Sequence, residues 1–141
     1  MWHTIIFLGN LGRDPEMRYI PSGKPVTSFP VAVSRKYTSN SGQSVEETIW
    51  IRVSVWDKQA ENCNQYLKKG SKVLIEGRLS PDPVTGGPKT YTKKDGTTGA
   101  SYEVTASLVR FLSPKSESTS GGEEAGDFGG HPAVDEDAIP F

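Results

Sequence analysis

Glu46-Glu47-Thr48-Ile49-Trp50-Ile51-Arg52-Val53-Ser54-Val55-Trp56 reads as a β-strand with two different faces. Ile49, Ile51, Val53 and Val55 alternate with Thr48, Trp50, Arg52, Ser54 and Trp56, and side chains along a strand point to opposite sides at every second residue. The odd-numbered set is aliphatic and belongs to a core. The even-numbered set presents two indoles with a guanidinium between them. Burying that face too would bury Arg52, which costs several kcal/mol without a partner. The tryptophan face therefore meets solvent, a ligand or another subunit. Unstacked nucleobases suit it, because base-on-aromatic stacking contributes about 1–3 kcal/mol per base and Arg adds phosphate contact or cation–π stacking.

Short β-type segments surround this strand. Trp2–Leu11 is rich in β-branched and aromatic residues, with Trp2 expected in the core, and Gly12-Arg13-Asp14-Pro15 breaks it. Met17–Ile20 is a short extended piece ended by Pro21-Ser22-Gly23-Lys24. Val26–Tyr37 carries Phe29, Val31 and Val33 on one face, and Pro30 opposite them predicts an edge position or a bulge. After the polar loop Thr38–Ser44 and the strand above, Asp57 is placed to cap a helix over Lys58–Lys69. Ala60, Cys63 and Leu67 face one way and Gly70 stops it. Strands over Lys72–Leu79, Thr90–Lys93 and Ser101–Leu112 follow, separated by the Pro/Gly-rich stretch Ser80–Lys89 and the turn Lys94-Asp95-Gly96. Three main strands, one short helix and then further strands predict an all-β fold. The architecture is a five-stranded Greek-key barrel of the oligonucleotide/oligosaccharide-binding (OB) kind, with the helix between strands three and four. A β-sandwich is the alternative, and it does not predict a single helix there.

The charge is divided. Residues 1–112 hold 15 Lys/Arg against 10 Asp/Glu, whereas residues 113–141 hold Lys115 against seven acids. A basic body with an acidic arm fits a nucleic-acid binder. The body is expected to be one domain over 1–112. Residues 113–134, rich in Ser, Gly and Glu, have too little apolar content to offset their ordering entropy and are expected to form a disordered linker. Asp135-Glu136-Asp137-Ala138-Ile139-Pro140-Phe141 joins three carboxylates to a small apolar wedge. Asp135, Glu136 and Asp137 would steer this tip to a basic rim, while Ile139, Pro140 and Phe141, with its terminal carboxylate, anchor it in an apolar pocket on a partner protein.

Around the tryptophan strand, cations stand beside aromatics. Arg35-Lys36-Tyr37 opens the polar loop, Lys58 follows Trp56, Lys68-Lys69 ends the expected helix, and Lys89-Thr90-Tyr91-Thr92-Lys93-Lys94 surrounds one aromatic with lysines. Tyr37, Trp50, Trp56 and Tyr91 are the expected stacking residues. Arg18, Arg35, Lys36, Arg52, Lys58, Lys69, Lys89 and Lys93 are the expected phosphate contacts.

Enzymatic chemistry has no foothold in this pattern. His3 and His131 stand near no candidate nucleophile, and Gly70-Ser71-Lys72 lacks phosphate-loop spacing. Glu46-Glu47 and Asp57 lie too far apart along one strand to share a metal ion. No cofactor or metal is implied. The run Ile5-Ile6-Phe7-Leu8 is far too short to span a bilayer, no leader precedes it, and the single cysteine, Cys63, fits the reducing cytosol.

Several blocks together resemble the bacterial single-stranded DNA-binding protein family. They are Gly9-Asn10-Leu11-Gly12-Arg13-Asp14-Pro15-Glu16-Met17-Arg18-Tyr19, Trp50-Ile51-Arg52-Val53, Tyr66-Leu67-Lys68-Lys69-Gly70-Ser71, Ile75-Glu76-Gly77-Arg78-Leu79 and the tip Asp135–Phe141. The resemblance implies an OB-fold homotetramer in the bacterial cytoplasm that wraps single strands sequence-independently during replication, recombination and repair. It also implies that the tip recruits partner proteins, and it puts the family's stacking aromatics on Tyr37, Trp50, Trp56 and Tyr91. Ile51 stands where the family commonly has His, Ser80–Lys89 looks inserted, and Ala138 moves the acids one residue away from Ile-Pro-Phe. An RNA-binding barrel and a protein-interaction adaptor without primary DNA binding are the rival functions.

Overall fold

The alternation in Thr48–Trp56 organises the structure, a computed structural model that describes residues 1–113. The tip, and the linker beyond Ser113, lie outside the described residues. Strand β1 is Ile5–Leu11, β2 is Glu16–Tyr19, β3 is Pro25–Thr38 and β4 is Ser44–Trp56. Helix α1 covers Asp57–Tyr66, followed by β5 at Lys72–Leu79, β6 at Lys89–Thr92 and β7 at Thr98–Phe111. β4 pairs antiparallel with β3 along its whole length and parallel with β7 from Ile51 to Ser54. β7 continues to β5, β5 to β1, and β1 returns to β3 through Asn10 and Leu11. The ring β1–β3–β4–β7–β5 closes into the five-stranded barrel expected from sequence, with α1 between its third and fourth strands. β2 extends the sheet beyond β3, and β6 forms a hairpin with β7.

Closing five strands forces backbones together, and glycine sits at two of the tight points. A Cβ at Gly9 would overlap the Ala32 carbonyl where β1 meets β3, and one at Gly77 would overlap the Thr105 carbonyl at a bulge between β5 and β7. Pro30 occupies a different discontinuity. The outer edge of β3 pairs with β2 up to Ser28 and with β1 from Val31, so the missing N–H of Pro30 falls near the change of partner. Its carbonyl accepts the Gly12 N–H at 3.0 Å.

The core is built from the predicted face. Ile51, Val53 and Val55 are buried with Phe29, Val31, Val73, Ile75 and Val104, while Ala60, Cys63 and Leu67 of the helical segment close one end. Buried Thr27 donates its hydroxyl to the Ala60 carbonyl at 2.7 Å and ties the helix to β3. Ile49 shares the aliphatic parity yet is 49% exposed. Before Ile51, β4 pairs with β3 alone, so the two strands leave the barrel as an arm with no second layer.

Three local expectations are corrected. Trp2 precedes β1 and is 82% exposed, so it is not core. His3 also precedes the strand, and its Nε2 accepts the Leu79 N–H at 3.1 Å. The helix starts and stops earlier than Lys58–Lys69, and Asp57 makes no side-chain cap: it stands inside the helix with φ +58°. Leu67 is already extended because it fills the core, and the chain then turns through Gly70 at φ +88°.

Candidate nucleic-acid interface

The even-numbered face of β4 lies in the middle of a broad outward surface. Register places Ala32 beside Trp50, Pro30 beside Arg52, Ser28 beside Ser54 and Val26 beside Trp56. β2 adds Arg18 beside Val26, in the row of Trp56, and Glu16 beside Ser28. On the other side, β7 sets Glu103 beside Arg52 and Thr105 beside Ser54. Strands about 4.8 Å apart put Arg18 roughly 10 Å from Trp56, and six residues at about 3.3 Å put Trp50 roughly 20 Å from it. Arg52 is exposed and has no hydrogen bond or ion pair among the described residues. Trp56 is 38% exposed and Trp50 half-buried, so both indoles keep accessible ring surface.

A cleft of about 550 Å³ opens on this surface, with Arg13, Asp14 and Glu16 on one wall, Arg52 in the middle, and Lys89, Tyr91 and Glu103 opposite. The β6–β7 hairpin supplies that far wall. Its register sets Lys89 against Ser101 and Tyr91 against Gly99. The Tyr91 ring lies across Gly99, where a Cβ would overlap it, so glycine is what lets the ring settle on the strand. The hairpin tip is held by Asp95, whose Oδ1 accepts the Thr97 N–H at 3.0 Å and its hydroxyl at 2.6 Å. Those bonds hold the Asp95 carboxyl below its ordinary pKa. The preceding loop is closed by its own contacts: Asp82 Oδ1 accepts the Val84 and Thr85 N–H groups, and Asp82 N–H donates to the Gly87 carbonyl. It delivers Lys89 into β6, where the Lys89 ammonium meets Glu103 at 2.7 Å.

Not every predicted residue joins this surface. Trp50, Arg52, Trp56, Arg18, Lys89 and Tyr91 do, Lys36 shares the parity of Trp50, and Lys93 reaches Gly99 beside Tyr91. Tyr37 and Arg35 have the parity of Val31 and Val33, so they stand on the opposite side of the β3–β4 arm from Trp50. There the Arg35 guanidinium sits 4.9 Å from the Tyr37 ring centre, and the Tyr37 hydroxyl donates to Glu47 at 3.0 Å. The Glu47 carboxylate pushes the Tyr37 phenol above its ordinary pKa. Lys58 lies on α1 and pairs with Glu61 at 3.3 Å, an exposed contact of little energetic weight. Lys69 lies in the turn after α1, and its N–H donates to Asp14 Oδ1 at 2.7 Å.

Part of the opening motif is occupied with architecture. Leu11 is core, the Asn10 amide donates to the Gly70 carbonyl at 3.1 Å, and Asp14 holds the turn after α1. Arg13, Asp14, Glu16 and Glu103 line the cleft without having been singled out from sequence. For Glu103 no local signal exists, because its place beside Arg52 comes from a parallel pairing between distant strands. No metal-binding group of acids, His or Cys occurs among the described residues.

Comparison with known proteins agrees with this geometry. Residues 2–112 match the model of the single-strand binding protein family, spanning the barrel and both added strands. The single-stranded DNA-binding protein of Neisseria meningitidis serogroup A is 38% identical over 119 residues, which cover 84% of this chain and 64% of that protein. The chain therefore spans less than two thirds of the length of that curated relative. The single-stranded DNA-binding protein of Halalkalibacterium halodurans is 37% identical over 130 residues, covering 92% of this chain and 72% of the relative. The crystal structure of a deletion mutant of the Thermus aquaticus single-stranded DNA binding protein superposes with a TM-score of 0.61 at 28% identity, over 79% of this chain and 51% of that one. On the match through residues 2–112, the chain belongs to the single-strand binding protein family.

Proposed function

We propose that this protein binds single-stranded DNA without sequence preference, and that the Trp50–Arg52–Tyr91 surface is where it does so. The observation that carries the reading is Arg52, a guanidinium without a partner among the described residues that stands between two accessible indoles, with a cleft and a third aromatic, Tyr91, beside it. Bases stack on Trp50, Trp56 and Tyr91, while Arg18, Lys36, Arg52 and Lys93 meet phosphates. Tyr37 and Arg35 extend the path only if the strand passes around the arm. Intrinsic tryptophan fluorescence titrated with oligo(dT) tests this, using a Trp2→Phe background because Trp2 is exposed and adds its own emission. Quenching that saturates at a defined length supports the reading, and an unchanged signal refutes it. Competition between poly(dT) and poly(U) in the same assay separates a DNA binder from an RNA binder.

Assembly and partners belong to the same proposal. The outer side of β1, β5 and β7 carries Ile6, Leu8, Leu74 and Leu108, with Ile6 60% and Leu8 46% exposed. Glu76 and Arg110 stand among them, a mixture of signs that a second copy of the same face can complement. This supports a homo-oligomer, with the tetramer as the expected form. The segment Asp135–Phe141 is assigned to recruitment of replication, recombination and repair proteins, and the setting to the bacterial cytoplasm. No helix among the described residues is long and apolar enough to cross a membrane.

A further inference from the structure

Lys89 reaches the cleft with its charge already answered. Its ammonium lies 2.7 Å from Glu103, whose side chain is only 17% exposed. The Ser101 hydroxyl donates to the other Glu103 oxygen at 3.5 Å, so the carboxylate is held from two sides. Arg52, its neighbour in register on β4, has no such partner among the described residues. An acid in the middle of a surface that takes phosphates opposes the field the ligand needs, and partial removal from water strengthens its hold on the lysine.

We propose that Glu103 is a resident counterion of the DNA site. With the cleft empty, its carboxylate holds Lys89 toward β7. A backbone phosphate replaces that carboxylate when a strand enters, and the carboxylate recaptures the ammonium as the strand leaves. Exchange of one anion for another releases no net counterion at Lys89, so this lysine adds little to the salt dependence of binding. Glu103 thus lowers affinity and hastens release, and it marks which cations of the surface attract DNA from a distance. The inference rests on the DNA-binding reading above, and the test separates the two.

Oligo(dT) binding is measured across a salt series for the full chain and for Glu103→Gln, Lys89→Gln with Glu103→Gln, and Arg52→Gln, each with a melting curve. Glu103→Gln is expected to bind at least roughly two- to fivefold more tightly at low salt, the range a fully exposed ion pair supports and therefore a floor for this half-covered one. Its plot of log affinity against log salt steepens by about 0.7, one further single-strand phosphate. Adding Lys89→Gln returns the slope to that of the parent. An unchanged slope with equal or weaker affinity in Glu103→Gln overturns the counterion role. Glu103→Ser repeats the measurement if the amide variant melts early. Arg52→Gln is the control for the surface itself: weaker binding there with no gain from Glu103→Gln removes only the counterion. Parent-like binding by Arg52→Gln removes the surface and the counterion together.

Discussion

Trp50 and Tyr37 differ in what a nucleobase would find on arrival, and the difference is measurable. Trp50 offers part of its ring on the face that carries Arg52, so stacking there contributes about 1–3 kcal/mol, and Trp50→Ala should weaken binding roughly 5- to 150-fold per site. Tyr37 already carries the Arg35 guanidinium 4.9 Å from its ring centre, and its hydroxyl is bound to Glu47. A base stacking on that side displaces a cation–π contact of about 0.5–1 kcal/mol, which leaves a net gain of about 0–2.5 kcal/mol. It must also pass to the far side of the arm. Tyr37→Ala is therefore expected to cost clearly less than Trp50→Ala. The assay is fluorescence anisotropy of end-labelled oligo(dT) at low and high salt, with a melting curve for each variant. Removing a neutral ring should leave the salt slope unchanged, whereas Arg52→Gln should lower it by about 0.7. A loss in Tyr37→Ala equal to that in Trp50→Ala, with both proteins folded, refutes the argument from face and occupancy.

Asp57→Gly should raise stability by about 1 kcal/mol in urea unfolding, because φ +58° strains a residue with a Cβ and not a glycine. Gly99→Ala should push the Tyr91 ring off β7 and weaken oligo(dT) binding, with a smaller effect on the melting temperature. Leu8→Glu, which charges the exposed outer face of β1, should lower the oligomer mass seen by light scattering while the circular dichroism spectrum stays that of the parent. Cys63 is buried, which pushes its thiol from 9.0 up to about 12. It should resist alkylation until urea unfolds the chain, and the stability tied to its protonated form is intact below the free thiol's value and lost as pH rises toward about 12.

Period-two alternation made β4 and the core side of β3 legible, because one buried face imposes it. Where that face stops being covered was not legible: Ile49 obeys the pattern, yet β7 leaves β4 before reaching it. Tyr37 shows a different gap. Its closeness to Arg35 and Lys36 pointed to the ligand side, although its spacing from Phe29, Val31 and Val33 already put it on the core parity, and that parity decided its face. Asp57 looked like a cap from residue type alone, but Trp56 holds the N-cap position and Asp57 is a left-handed residue already inside the helix, with no side-chain cap bond. The cleft depended on pairings between strands far apart in sequence, so of its lining only Arg52, Lys89 and Tyr91 were expected beforehand to bind the ligand.

One irregularity explains how a single strand serves both surfaces proposed for this protein. In the first half of β7, Val104 and Ala106 point inward and Glu103 outward, beside Arg52. In the second half Val109 packs on the core, so the inward parity has changed from even to odd. The change occurs at Ser107, the residue left over where pairing steps from Gly77–Ala106 to Glu76–Leu108. Its hydroxyl donates to the Glu76 carbonyl at 3.0 Å, and its own carbonyl accepts the Gln59 amide at 2.9 Å. A bulge inserts one residue and reverses which side chains face the core beyond it. Without it, the parity that sends Glu103 outward would send Val109 outward as well and turn Leu108 and Arg110 into the barrel. With it, the front of β7 presents a carboxylate to the cleft, and the back presents Leu108 beside Leu74 and Leu8. The two faces then lie on different sides of the barrel, so the proposed subunit contact through the apolar one would leave the tryptophan surface open to a strand of DNA.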